Sequence, residues 1–267
     1  MSADSKQVET LPTEPLQAGL LKIGLLIIGD EILSGKRQDR HFSKAIEITR
    51  ARGLSVSWSM YLSDDPQMIT DVLSSTMARD DVVFSFGGIG ATPDDHTRQC
   101  AARAAGVELV LHPQARREIE AQFGTDAYPR RIEMGMFPAG ARIIPNAYNR
   151  IPGFSIGKHH FLPGFPSMAW AMMEWVLDSE YLDQHRESPP VDIAIVVKDA
   201  PESQLIDLMN ACLHEYPACK VFSLPTLTAE GRRIELGVKG DAVQAEQALV
   251  FLQQGVSALG FTWDRRA

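Results

Sequence analysis

The first long apolar run, LLKIGLLIIGD at 20 to 30, has no polar alternation, the pattern of a strand buried on both faces of a parallel sheet. From Asp39 to Arg52 the spacing becomes helical, carried by Phe42, Ala45, Ile46, Ile48 and Thr49, with Gly53 as the stop. LSVSWSMYL then predicts a second strand, a helix over 66 to 79 opens with Pro66 behind Asp64 and Asp65, and DVVFSF at 81 to 86 predicts a third strand. Alternation of this kind predicts a three-layer α/β/α domain, a mostly parallel sheet with helices on both sides and a ligand site at the carboxyl ends of the strands. The loops at 29 to 39 and 87 to 95 both leave those ends.

Residues 112 to 124 read as a helix, after which TDAYPRR opens a less regular stretch with short strands at ARIIP and around HHFLPG. A helix from about Pro166 to Leu177 closes the first domain, and the polar DQHRESPP at 183 to 190 reads as a linker. VDIAIVV, a helix from Glu202 to His214, KVFSLPTL, RRIELGVKG, a helix over 241 to 255 and FTW then give the order β-α-β-β-α-β of a small α+β module, ferredoxin-like or KH-like. The expected organisation is a disordered tail over 1–18, an α/β domain over 19–182, a linker over 183–190 and the small domain over 191–267.

A formal net charge of -8 disfavours a general affinity for nucleic acid or anionic membrane. With no apolar run of membrane-spanning length and a polar N-terminal segment lacking a basic start, the expected location is the cytoplasm. Cys100, Cys212 and Cys219 have no CxxC spacing and read as buried thiols. GVKG at 237 to 240 has the GxxG spacing of a KH clamp, yet it is expected to join a strand to a helix, and residues 191–267 hold ten Asp or Glu against seven Lys or Arg. Nucleic-acid binding through this module is therefore the third-ranked reading, and contacts within a homo-oligomer, or cover for the first domain, the expected role.

The stretch with most chemistry is FSFGGIGATPDDHT at 84 to 97. Gly87, Gly88 and Gly90 let backbone amides approach a ligand, and a helix expected to start near Asp94 turns its positive end to the same place, which favours an anion. The dinucleotide fingerprint G-x-G-x-x-G is absent, and two carboxylates stand behind the turn instead. Asp95 either caps that helix or, with Asp94 and the acidic GDEIL turn at 29 to 33, accompanies a divalent cation such as Mg²⁺ that bridges to phosphate oxygens. His96 reads as a solvated or capping residue, His159 and His160 as surface residues, Arg130 and Arg131 as a solvated face, and Trp170, Met172, Met173 and Trp175 as core or interface.

Taken in order, GDEILSGKRQDRHF, YLSDD, FSFGGIGATPDDHT, IIPNAYNRIPGF and FLPGFP resemble the molybdopterin-binding domain family over about 20 to 177, in the branch found at the N-terminus of competence/damage-inducible protein A. The resemblance implies a pterin or adenine nucleotide bound by its phosphate at the loop after the third strand. Relatives include enzymes that adenylylate molybdopterin using ATP and Mg²⁺, domains ascribed nucleotide-sugar pyrophosphatase activity, and the accessory domain of eukaryotic FAD synthases. Carried over by position, Gly87, Gly88, Gly90 and Thr92 match the phosphate turn, and Asp30 and Glu31 fall on the GDE turn. Pro163, Gly164 and Pro166 match a late LPG-x-P motif. Asp95 and Asp64 match the acidic positions that the resemblance makes catalytic, with Asp95 and Asp94 beside the metal. Ala91 replaces the usual proline of GGLGPT, His41 stands where asparagine is common, Asn149 and Arg150 occupy a stretch usually glycine, and Met168 replaces glutamate. No stretch matches the deamidase domain of full-length competence/damage-inducible proteins. The reactions implied are adenylyl transfer or metal-assisted hydrolysis of a pyrophosphate, and the departures keep a non-catalytic binding module as the alternative.

Overall fold

The computed structural model describes residues 21–186, 190–228 and 231–266, so the tail expected over 1–18 and part of the expected linker lie outside the described residues. Two compact units divide the chain, one taking residues up to 45 and 56–180, the other 46–55 and 181 onward. In the first, chain order gives β1 (Ile23–Ile28), α1 (Asp30–Leu33), α2 (His41–Arg50, its second half counted with the other unit), β2 (Val56–Leu62), α3 (Pro66–Met77), β3 (Val82–Phe86) and α4 (Thr97–Ala105). There follow β4 (Leu109–Leu111), α5 (Pro113–Phe123), β5 (Met136–Pro138), β6 (Arg142–Ile144), β7 (Gly153–Ile156), β8 (His159–Leu162) and α6 (Pro166–Glu180).

The main sheet has six strands in the order β2-β1-β3-β8-β7-β6. β2, β1, β3 and β8 are parallel, and β7 and β6 return antiparallel. β1 is buried at every position, as a strand covered on both faces must be. Successive side chains of a strand point to opposite faces. Leu26, Ile28 and Val83 accordingly join Ile69 and Leu73 of α3 and Cys100 and Ala101 of α4 in one cluster. Their neighbours Leu25, Ile27, Phe84 and Phe86 are buried too, and on Phe86 the ring of His41 from α2 is stacked with centroids 4.6 Å apart. Phe137, Phe154 and Phe161 continue the cluster as a stack, with centroids 4.7 and 4.5 Å apart. α3 begins where the sequence places a cap: Asp65 Oδ1 accepts from the amide of Met68 at 2.6 Å, with Pro66 in the first helical position.

Three short strands, β4, β5 and β7, were not predicted, being too brief to show alternation. His159 and His160, expected on the surface, are instead strand residues of β8 at 3% and 0% exposure. They lie between β3 and β7, and each polar ring is satisfied locally: His159 Nε2 meets Thr76 Oγ1 at 3.0 Å and His160 Nδ1 meets Ser155 Oγ at 2.8 Å. Burial keeps both neutral, lowering their pKa values to about 4 and about 3. Met172 and Met173 are core, as one expected alternative had it, whereas Trp175 stays exposed.

The second unit contains β9 (Val191–Lys198), α7 (Ile206–Glu215), β10 (Lys220–Thr228), β11 (Gly231–Gly240), α8 (Ala242–Ala258) and β12 (Trp263–Arg265). Its sheet order is β10-β11-β9-β12 with every pair antiparallel, which makes it ferredoxin-like and excludes the KH alternative. GVKG is not a loop at all: it forms the end of β11, paired with β10 on one side and β9 on the other. Ile195, Val197, Leu236 and Val238 pack on Leu249 and Leu252 of α8 to form the core of this unit. The three cysteines are buried and free, as expected. Among the described residues no helix is long and apolar enough to cross a membrane.

Candidate functional site

Parallel strands bring their carboxyl ends to one edge of the sheet. At that edge β1 runs into Gly29–Asp30–Glu31, β2 into Ser63–Asp64, and β3 into Gly87–Asp95. Gly87 holds a φ of +106°, its amide donates to Leu162 O of β8 at 3.0 Å, and a Cβ placed on it would stand 2.3 Å from Ile28 O. No side chain fits there, so the chain can leave β3 in this direction only with glycine. The hydroxyl of Thr97 closes the turn from behind by donating to Gly87 O at 3.1 Å, and its amide donates to Gly88 O at 3.0 Å.

A cavity of about 380 Å³ opens over this turn, within the range for small-molecule sites. Gly87, Gly88, Gly90 and Thr92 line it, as do the carboxylates Glu31, Asp64, Asp94 and Asp95 and the loop residues Pro163 and Gly164. Of the candidate residues Asp30 and Pro166 stay outside the lining, and Asp30 is tied to Asp64 by its amide, which donates to Asp64 Oδ2 at 2.9 Å. Gly164 packs against the turn, its Cβ position 3.5 Å from Gly87 Cα, and its carbonyl meets His41 Nε2 at 3.1 Å. Burial lowers the pKa of His41, against the opposing pull of Gly164 O and Asp39, so its neutral ring donates through Nε2.

The acid pair divides its work. The helix expected near Asp94 begins only at Thr97, and His96, the residue before it, makes no side-chain cap, so Asp95 caps no helix. Its Oδ2 accepts instead from the amide of Thr92 at 2.8 Å and from the Thr92 hydroxyl, closing the ATPD turn on itself. Behind it sits Arg98, 4% exposed, whose Nη2 donates to Gly90 O at 2.5 Å and whose Nη1 donates to Glu133 O, while Asp95 favours its charged form against burial. Asp94 is exposed, and hydrogen bonding within the ATPD turn, followed by the charge of His96, holds its carboxyl below the usual range.

Asp64 stands at the centre of the negative charge. Burial first, and then the charges of Asp30, Glu31 and Asp94, push its carboxyl above the usual carboxylate range, with the Asp30 amide pulling the other way. No group of three His, Cys, Asp or Glu side chains among the described residues is gathered to hold a metal ion alone. Mg²⁺ needs no such cage, because one or two carboxylates and the substrate phosphates suffice. The mutual repulsion at Asp64 fits a cation there.

Sequence reasoning missed Arg37, the one Lys or Arg among the lining residues, and an apolar flank of Ile89, Met134, Ile151, Pro152 and Phe165, which Met168 joins. All of those missed but Met134 lie inside the quoted segments, yet none matches a position carried over.

An α/β/α domain with a glycine turn at the carboxyl edge of its parallel sheet is the class that this geometry defines. The family described as probable molybdopterin binding domain matches residues 24–183, and the chain belongs to it. A CinA-like protein of Citrifermentans bemidjiense is 31% identical over 252 residues, covering 92% of this chain and 60% of that protein. A second CinA-like protein, of Syntrophotalea carbinolica, is 33% identical over 153 residues, 55% of this chain and 37% of that protein. The solved structure of CinA from Thermoplasma acidophilum, described as of unknown function, superposes with a TM-score of 0.55 at 25% identity, covering 62% of this chain and 99% of that one. The chain therefore spans 60% or less of the length of these two curated relatives.

Proposed function

We propose that the cavity binds a pterin or a nucleotide by its phosphate and acts at a phosphoanhydride, by adenylyl transfer onto a pterin phosphate or hydrolysis of a pyrophosphate. The observation that carries this reading is the cavity itself, whose lining joins an open glycine turn and Asp64. Amides of Gly88 and Gly90 are suited to hold phosphate oxygens as charge builds on them. Asp64, with its raised pKa, is suited to orient the attacking oxygen and take its proton. Asp94 would hold Mg²⁺, which when bound neutralises phosphate charge and leaves Asp64 free as the base. Asp95 serves this arrangement by fixing Thr92, a different role from the metal ligand and catalyst that the resemblance implies for it.

Binding without turnover is the second reading, favoured by the engagement of the Asp95 carboxylate with Thr92, which leaves Asp64 as the principal candidate base. Calorimetry and product analysis with a pterin phosphate, ATP, ADP-ribose and FAD, each with and without Mg²⁺, test both. Binding with Mg²⁺-dependent turnover that Asp64→Asn abolishes supports the first reading, and binding without products supports the second. Failure of every phosphate to bind refutes the assignment of the site.

A further inference from the structure

The glycine turn does not present its two sides alike. A trans peptide points its carbonyl and the amide that follows in opposite directions. Gly87 O accepts from the Thr97 hydroxyl at 3.1 Å, Gly88 O from the Thr97 amide at 3.0 Å and Gly90 O from Arg98 Nη2 at 2.5 Å, so α4 draws three carbonyls to its own side. The amides of Gly88, Ile89 and Ala91 accordingly leave on the other side, and all three residues line the cavity. Among the described residues none of these amides has a protein acceptor, whereas the amides that flank them are engaged, Gly87 with Leu162 O at 3.0 Å and Thr92 with Asp95 Oδ2 at 2.8 Å.

Two of the three directions come with the start of α4, since Thr97 is its first residue. The third hangs on a side chain. Arg98 is 4% exposed, its Nη1 donates to Glu133 O, and its Nε is buried with no partner among the described residues. A cation buried with a donor unmet costs stability that an apolar side chain of like volume would spare. The packing of α4 therefore does not account for Arg98, whereas the orientation of the Gly90–Ala91 peptide does. The residue after that peptide bond matters equally: the proline usual at this place in GGLGPT has no N–H, and Ala91 supplies one.

We infer that the Ala91 amide is an additional phosphate donor in this chain, and that Arg98 is the positioning residue that aims it, acting through Gly90 O. Arg98 itself is absent from the lining of the cavity and does not touch the phosphate. This rests on the proposed function only for the presence of a phosphate at the turn. With Ala91 the turn offers three amides on one side, a nest of N–H groups suited to the several oxygens of one phosphate. Proline at the same position would leave two.

The test is equilibrium binding of pyrophosphate, with Mg²⁺ present, to the full chain, to Ala91→Pro, to Arg98→Met and to the double variant. Ala91→Pro removes the N–H while keeping Gly90 O for Arg98, and is expected to weaken pyrophosphate about tenfold. Arg98→Met is expected to weaken it at least as much. Because both changes act on one amide, the double variant should lose clearly less than the product of the two losses, which a merely structural contribution of Arg98 would not produce. Arg103→Met, at an exposed position on the same helix, should bind as the parent does. NMR of the parent gives a second reading that stands even where a variant fails to fold: on adding pyrophosphate, the amide protons of Gly88, Ile89 and Ala91 should move downfield, and those of Gly87 and Thr92 far less. If Ala91→Pro binds as the parent does, if the two losses multiply, or if the Ala91 amide does not respond while pyrophosphate binds, the inference alone is overturned. If the parent binds no pyrophosphate, the phosphate reading falls and takes the additional donor with it.

Discussion

Asp30 and Asp64 exchange hydrogen bonds: the amide of Asp30 donates to Asp64 Oδ2 at 2.9 Å, and the amide of Asp64 donates to Asp30 Oδ1 at 3.3 Å. The loop after β1 and the loop after β2 are thereby locked in mutual register, at the expense of bringing two carboxylates together. A ligand arriving with a cation finds this repulsion ready to be relieved.

The first prediction concerns that repulsion. Because the folded pKa of Asp64 lies above its ordinary 3.8, the folded state binds its proton more tightly, and stability falls as pH rises through the interval between them. Asp64→Asn keeps an oxygen for the Asp30 amide and removes the charge. The variant should melt at or above the parent at pH 7.5, the two converging near pH 4, while Mg²⁺-dependent phosphate binding drops about tenfold or more. A lower melting temperature at pH 7.5 would refute this account of Asp64.

Asp95 should behave in the opposite way. Asp95→Asn removes a charged acceptor from Thr92 and the anion beside buried Arg98, so it should cost about 1–3 kcal/mol without any ligand present. Thermal melts would show this as a fall of roughly 3–6 °C. Asp94→Asn, at an exposed side chain, should lower the melt by less than Asp95→Asn does. Equal melts for the two variants would return Asp95 to the role of a ligand-binding residue only.

Gly88 has a φ of +68°, and a Cβ there would stand 2.2 Å from Thr97 Oγ1. Gly88→Ala should destabilise by about 2–3 kcal/mol, from the left-handed backbone and the clash together. Thr97→Ala removes the clashing oxygen and one buried bond to Gly87 O, costing about 1 kcal/mol alone. The double variant should then be more stable than the sum of the single changes by about 1 kcal/mol, as read from urea denaturation. Strict additivity would mean that the turn shifts to avoid Thr97.

The buried histidines set the acid limb of stability. Their folded pKa values of about 4 and about 3 lie below the ordinary 6.5, so the unfolded chain binds more protons between those limits and stability declines as pH falls below 6.5. Each histidine contributes a slope of up to about 1.4 kcal/mol per pH unit. Urea denaturation between pH 7 and 5 should show it, and His159→Gln should flatten it. A profile unchanged by that variant would contradict the assignment of the slope to His159.

The regular elements were legible because burial leaves its trace in spacing: IGLLII could only be a two-sided strand, and Asp65 with Pro66 announced α3. The glycine turn was legible for the same reason, since Gly87 sits where no Cβ fits. What failed was reading side-chain polarity as location. His159 and His160 are polar by composition, yet Thr76 and Ser155, the latter on β7, supply the partners that let them be buried. A helix cap was one of the two readings open for Asp95, since acids precede helices, but the partner that its Oδ2 engages lies three residues back, at Thr92. Arg37, Arg98 and Phe165 carry no local signature, since what places them at or behind the cavity is the meeting of distant loops.

β1 has both its neighbours in place and every side chain covered, whereas the turns that leave the strand ends hang on a few bonds each. Backbone amides of Ile23–Ile28 should therefore trade hydrogen for deuterium only when the whole unit opens, while those of Gly88–Asp95 trade through local fluctuations. A ligand can in consequence reshape the rim, slowing the exchange of the turn many-fold, without disturbing the clock of the strand beneath it.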